Sequence, residues 1–284
     1  MAIAQDALAE AQAQANEQLR AQLLAAVAAI YGVGIASDML TNPAALITFL
    51  KRLVPLSLAA QAQMVRSTTL DLARQLPLDR PILLKPTDII GAKLRGTPIE
   101  QVYSRAVYEI EDRLDAGASF EDATAYGLHR VTQNAVTDLQ LASNHASREY
   151  MTQLQDRVGA KVGSMRVPGE TPCALCVLAS TQFYDPPTLK PMHPGCGCGT
   201  RIVFEDERDA ALDEMDRRYL DIGDIIRRDL GDKYVDPGGR KGIEPYKHLF
   251  VSHEHGELGS VIGIRRQHFE GPTDVPVQPP LSAN

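Results

Sequence analysis

The sequence predicts a mainly α-helical protein with a small zinc-stapled C-terminal α+β lobe and a β-hairpin. Three observations carry that expectation. Apolar residues recur at helical spacing behind recognisable caps over residues 1–76 and 97–158. All four cysteines of the 284-residue chain fall between Cys173 and Cys198. Two strand-like runs, H-L-F-V-S-H from His248 and S-V-I-G-I-R from Ser260, surround a turn at Gly256 and Gly259.

Residues 1–96 read as a helical region followed by a Pro-rich connector. Leu19, Leu23, Leu24, Val27, Ile30 and Tyr31 share one helical face, and Asn42-Pro43 reads as an N-cap with proline at the first helical position. Breaks are expected at Gly32, Gly34 and Pro55. The Ala/Gln-rich residues 1–17 fit either a solvated or partner-bound helix or a frayed terminus. Residues 77–96 contain Pro77, Pro81, Pro86, Gly91 and Gly96, which predicts a connector with at most one short element.

Residues 97–165 read as a long helical hairpin. Thr97-Pro98-Ile99-Glu100 has the form of an N-cap, an N1 proline and a capping-box glutamate, and Val102, Tyr103, Ala106, Val107, Ile110 and Leu114 then mark one face. Gly117 stops that helix. Ser119 with Asp122 caps the next, whose face carries Leu128, Val131, Ala135, Leu139, Ala142 and Ala146 and continues past Tyr150. Residues 166–270 form the metal-binding lobe, with charged helices over 205–231 and a break at Pro237-Gly238-Gly239. Residues 271–284 hold four prolines and no apolar pattern, which predicts a disordered tail.

A net charge of −7, with basic residues grouped only in pairs, argues against a dedicated nucleic-acid clamp, so any contact with DNA is local and incidental. The N-terminal stretch has no basic start and carries Asp6 and Glu10, unlike a secretory signal. The best early apolar run, Leu23 to Ile30, is too short for a membrane span, and none is expected. A cytoplasmic chain uses cysteines as ligands or catalysts more often than as disulfides.

Cys173-x2-Cys176 has the spacing at which a tight turn aims two thiolates at one ion. His193-x2-Cys196 and Cys196-x-Cys198 bring a second ligand group. Five candidates thus serve a four-ligand site, and tetrahedral zinc with three thiolates and one imidazole is the economical solution. Which four bind stays open; disulfides and inert reduced thiols are the competing readings. Pro186, Pro187, Pro191 and Pro194 stiffen the intervening loop, and Gly195, Gly197 and Gly199 are expected to let the backbone wrap the ion. Zinc contributes roughly 10–16 kcal/mol to folding in such small segments.

Catalytic readings fare less well. Pro172-Cys173-x2-Cys176 matches half of a nucleoside deaminase signature, but no H-x-E lies upstream, where that family needs it, and the one at His255 to Glu257 lies far downstream. Ser252, His253, His255, Glu257 and Ser260 cluster in sequence, yet no G-x-S-x-G elbow accompanies them. No residue is assigned catalysis. His253, His255 and Ser260 are the candidates only under a protease alternative.

The run C-A-L-C-V-L-A-S, then Tyr184, Leu189, Pro191 and H-P-G-C-G-C, followed by H-G-E-L-G, resembles the minor capsid or head-morphogenesis proteins of tailed phages of actinobacteria, relatives of the Mu F-like family. The likeness is specific over residues 173–198, supportive at 255–269, architectural over 97–158 and absent from 1–96. It implies metal ligation by Cys173, Cys176, His193 and the Cys196/Cys198 pair. It also implies a low-copy virion head component, made in the host cytoplasm and associated with portal, capsid or scaffold proteins. Genes in this place are often labelled capsid maturation protease, a label that no peptidase motif here supports. Ser260 stands where the H-G-E-x-G-P form has proline.

Overall fold

A computed structural model of the chain describes residues 2–169, 172–189, 196–220, 222–230, 246, 250–255 and 259–264. As expected, it is mainly helical, with a β-hairpin and a cysteine cluster in its C-terminal region. Helix α1 (Ala2–Tyr31) is separated from α2 (Val33–Thr41) by Gly32, whose φ of 35° few other residues adopt. Asn42 then caps α3 (Pro43–Gln75), its Oδ1 accepting from the Ala44 N–H at 3.0 Å.

The expected breaks at Gly34 and Pro55 do not occur: the first lies inside α2 and the second inside α3. Pro55 is exposed, so water can satisfy the carbonyl that its missing N–H leaves over. Helix α3 also corrects the expectation of no candidate span. Its best window has a mean hydropathy of 1.4, making it the one described helix long and apolar enough to cross a bilayer. Phe49, Leu53, Met64 and Val65 on this helix lie in the helical core.

The connector contains a 3-10 turn at Pro86–Asp88 and the short α4 (Ala92–Arg95), two pieces where one was expected. Helix α5 (Ile99–Asp115) begins one residue later than the Thr97-Pro98 signal implies; Pro98 is the cap residue and supplies no side-chain hydrogen bond. The chain turns at Gly117 (φ 86°) into α6 (Phe120–Val158), where Ser119 Oγ accepts from the Asp122 N–H at 3.1 Å as predicted. At 1.5 Å per residue, the 39 residues of α6 extend about 58 Å.

Helices α1, α3, α5 and α6 share one apolar core that includes Leu23, Tyr31, Phe49, Tyr103, Ile110 and Leu139. The middle of α6 is its axis, because every residue from Asn134 to Asn144 is buried. Side chains of α1 and α5 press against α6 at Gly127. A Cβ there would lie 2.2 Å from the Tyr31 hydroxyl and 2.6 Å from Ile110 Cγ1.

Burial on all sides forces polar side chains of α6 to find partners. Asp138 accepts from Arg95 Nε at 2.6 Å, from the Tyr103 hydroxyl at 3.1 Å and from Gln61 Nε2 at 3.3 Å. The Tyr103 hydroxyl also meets Ser57 Oγ at 2.7 Å, and Gln61 Oε1 accepts from the Gly91 N–H at 2.9 Å. One buried ion pair thereby fixes the register of α3, α4, α5 and α6.

The C-terminal lobe opens with β1 (Val162–Val167), followed by α7 (Ala174–Ser180), β2 (Gly199–Phe204), α8 (Arg208–Arg218) and α9 (Gly223–Leu230). Strands β1 and β2, not anticipated from sequence, pair antiparallel from Val162↔Phe204 to Val167↔Gly199. The outer edge of β1 meets Tyr184 through paired Ser164–Tyr184 backbone bonds of 2.9 and 2.8 Å. The outer edge of β2 is closed by glutamines. Gln12 on α1 accepts from the Thr200 N–H at 2.9 Å, while Gln75 on α3 donates to the Thr200 carbonyl at 2.6 Å and accepts from the Ile202 N–H at 2.9 Å.

These contacts decide the question left open for residues 1–17. They form a helix whose Ala9, Gln12, Ala13 and Asn16 are buried. The predicted hairpin is present as β3 (Phe250–His255) paired antiparallel with β4 (Gly259–Ile264). The Pro237-Gly238-Gly239 break, the turn at Gly256 and the 271–284 tail lie outside the described residues.

Candidate metal centre

The cysteines come together where the start of α7 meets the start of β2. Cys173 is the N-cap of α7, its Sγ accepting from the Cys176 N–H at 3.3 Å, so the C-x2-C spacing folds as a helical first turn with both sulfurs on one side. Asp229 of α9 braces that turn, its Oδ2 accepting from the Ala174 N–H at 2.6 Å. Arg228 donates to the Pro172 carbonyl, also at 2.6 Å.

Sulfur contacts run through all four residues: Cys173 to Cys176 at 3.3 Å, Cys176 to Cys196 at 3.6 Å and Cys196 to Cys198 at 3.3 Å. No disulfide joins these sulfurs, whose separations are well beyond the bond length of about 2.05 Å. A tetrahedron with zinc–sulfur bonds of about 2.3 Å has edges of about 3.8 Å, so the spacing is close to what one ion requires. The sulfurs of Cys176, Cys196 and Cys198 all lie within 4.8 Å of one another. This cluster can hold a metal ion.

Apolar side chains shield part of the cluster: Cys176 is buried, and Cys173, Cys196 and Cys198 are half-buried. Met151 of α6, Ala179, Tyr184 and Leu189 pack on the cysteines, and the Tyr184 hydroxyl donates to the Ala179 carbonyl at 3.0 Å. Contacts with the other sulfurs, Cys173 foremost, together with burial, hold the Cys176 thiol well above its ordinary range. Hydrogen bonding to Cys176 pulls Cys198 down, but contact with Cys196 and burial outweigh it, leaving that thiol well above the ordinary range too. A metal entering the cluster therefore displaces protons.

Gly197 and Gly199 have a different role from the one expected. Neither has a positive φ, so they do not wrap the backbone in a left-handed conformation. They admit α1: a Cβ on Gly199 would fall 1.9 Å from the Ala9 carbonyl oxygen, and one on Gly197 would fall 3.2 Å from Glu17 Oε2. The cysteine loop thus rests directly on the backbone of the first helix.

Sequence reasoning missed Arg166. It sits in β1 at 3 % exposure, its guanidinium 5.5 Å over the Tyr184 ring. A lone arginine inside the apolar strand V-G-S-M-R-V, just before the cysteine segment, was the available signal. His193 lies outside the described residues. His253 and His255 lie on β3, where the register pairs them with Val261 and Gly259; Ser260 on β4 is opposite Glu254.

Comparison with known protein families, curated proteins and solved structures gives no match to this chain.

Proposed function

We propose that this chain is a minor capsid or head-morphogenesis protein of a tailed phage, in which a zinc ion held by Cys173, Cys176, Cys196 and Cys198 staples the C-terminal lobe to the helical body. The observation that carries the reading is the meeting of four sulfurs inside the segment whose sequence resembles that family. Zinc is the ion because thiolate ligands suit it, and a site filled by four protein ligands leaves no open position for a substrate. The role of the metal is structural. It fixes the α7 and β2 ends against each other, and the same loop seats α1 through Gly199.

The helical body supplies long, rigid faces for packing against portal, capsid or scaffold subunits. Mass spectrometry of purified mature particles tests the assignment, with the protein expected in fixed low copy together with one zinc per chain. Its absence from particles, combined with cleavage of capsid or scaffold chains in its presence, would instead favour the capsid maturation protease.

A further inference from the structure

We infer that Arg166 is the counter-charge of the metal centre, a positioning residue whose guanidinium sets the affinity of the cysteine cluster for a divalent ion. The inference rests on the metal reading above and assigns a role to a side chain outside the ligand set.

A guanidinium at 3 % exposure is expensive unless opposite charge offsets its lost hydration. Arg166 is held by its place in the fold. Its register partner in β2 is Thr200, two residues beyond Cys198. It lines one small cavity with Cys196, Gly197 and Cys198, and it lies over Tyr184, which packs against the same cysteines. The positive charge therefore has a fixed position beside the sulfurs.

Four thiolates around one divalent cation carry a net double negative charge. In a partly buried site, where charges are less screened than in water, that excess opposes binding unless a fixed cation balances part of it. Arg166 supplies one positive charge without occupying a ligand position. With a neutral residue there, the loaded cluster keeps its full excess charge, and the protein holds the ion less firmly. Groups just outside the ligand shell typically change metal affinity about 10- to 100-fold.

The test is a competition titration of the full chain with a chromophoric zinc chelator at fixed pH. It compares wild type with Arg166→Lys, Arg166→Gln and Arg166→Met, each checked for wild-type helical circular dichroism. The two neutral variants are both made so that a folding defect in one leaves the other to be read. Zinc affinity is expected to fall about 10- to 100-fold in the neutral variants and to stay within about threefold of wild type in Arg166→Lys. Wild-type affinity in a folded neutral variant overturns the inference while leaving the zinc site intact. Equal weakening in Arg166→Lys and Arg166→Gln overturns it too, by showing that shape matters and charge does not. Failure of the wild-type chain to bind zinc removes the metal reading itself, and the inference with it.

Discussion

Gly199 and Ala9, far apart in sequence, meet so closely that a single added methyl on Gly199 would overlap the Ala9 carbonyl oxygen at 1.9 Å. That carbonyl belongs to helix backbone and cannot swing aside. The contact ties the first helix to the strand that follows the last cysteine.

Gly199→Ala is accordingly expected to destabilise the protein by about 3 kcal/mol, the upper range for overpacking a tight site. Gly197→Ala should cost less, because its nearest neighbour at 3.2 Å is the flexible end of Glu17. Denaturant melts of the two variants check the order, and equal losses would contradict it.

Each single change of Cys173, Cys176, Cys196 or Cys198 to Ser should abolish stoichiometric zinc, since the proposed site draws one ligand from each of the four sulfurs that contact one another in a chain. His193→Ala should retain one zinc per chain. Metal analysis of chelator-free protein decides between this four-sulfur set and one that uses the imidazole. A site that uses the His193 imidazole with only one of Cys196 and Cys198 predicts instead that either single variant at those two positions keeps its metal.

Removing one partner of the buried Arg95–Asp138 pair, whose side chains are 4 % and 3 % exposed, should destabilise the helical body by about 3–5 kcal/mol in either Arg95→Met or Asp138→Ala. The double variant should lose much less than the sum. A double-mutant cycle with additive losses would show that the pair does not couple.

Acidification should weaken the fold through His129 and His145. Burial, ahead of the other influences, depresses both below the usual 6.5; Arg148 adds to the effect at His145 and Glu109 opposes it at His129. A depressed folded value means the contribution is complete above about pH 6.5 and is lost as pH falls through the lower folded value. The drop in melting temperature between neutral and mildly acidic buffer should be smaller in His129→Gln/His145→Gln than in wild type. An unchanged drop would refute the assignment.

The parts of the fold legible in the sequence are those set by local chemistry. The Asn42 and Ser119 caps, the stop at Gly117, the strand-like runs of the hairpin and the C-x2-C turn each announce themselves within a few residues. What escaped notice depends on distant partners. Pro55 reads as a break, yet an exposed helix face tolerates it. Gln12 and Gln75 carry no local signal of their partners, yet they bond β2. The polar stretch from Asn134 to Asn144 hides a buried axis, because Asp138 is satisfied by Arg95, Tyr103 and Gln61 from three other helices. Strands β1 and β2 flank the cysteine segment, where metal-ligand spacing dominated the pattern. Arg166 was passed over because a charge in a strand ordinarily marks a solvent face.

The glutamine bonds to β2 and the Tyr184 bridge to β1 cover the middle of both outer edges of this small sheet. A neighbouring subunit therefore cannot extend it by laying down a further strand, and neither can a misfolded copy. Polymerisation through this sheet is blocked while α1 and α3 stay docked. Growth of an assembly around the protein must proceed through other surfaces, and loss of the first helix would turn a sealed margin into an adhesive one.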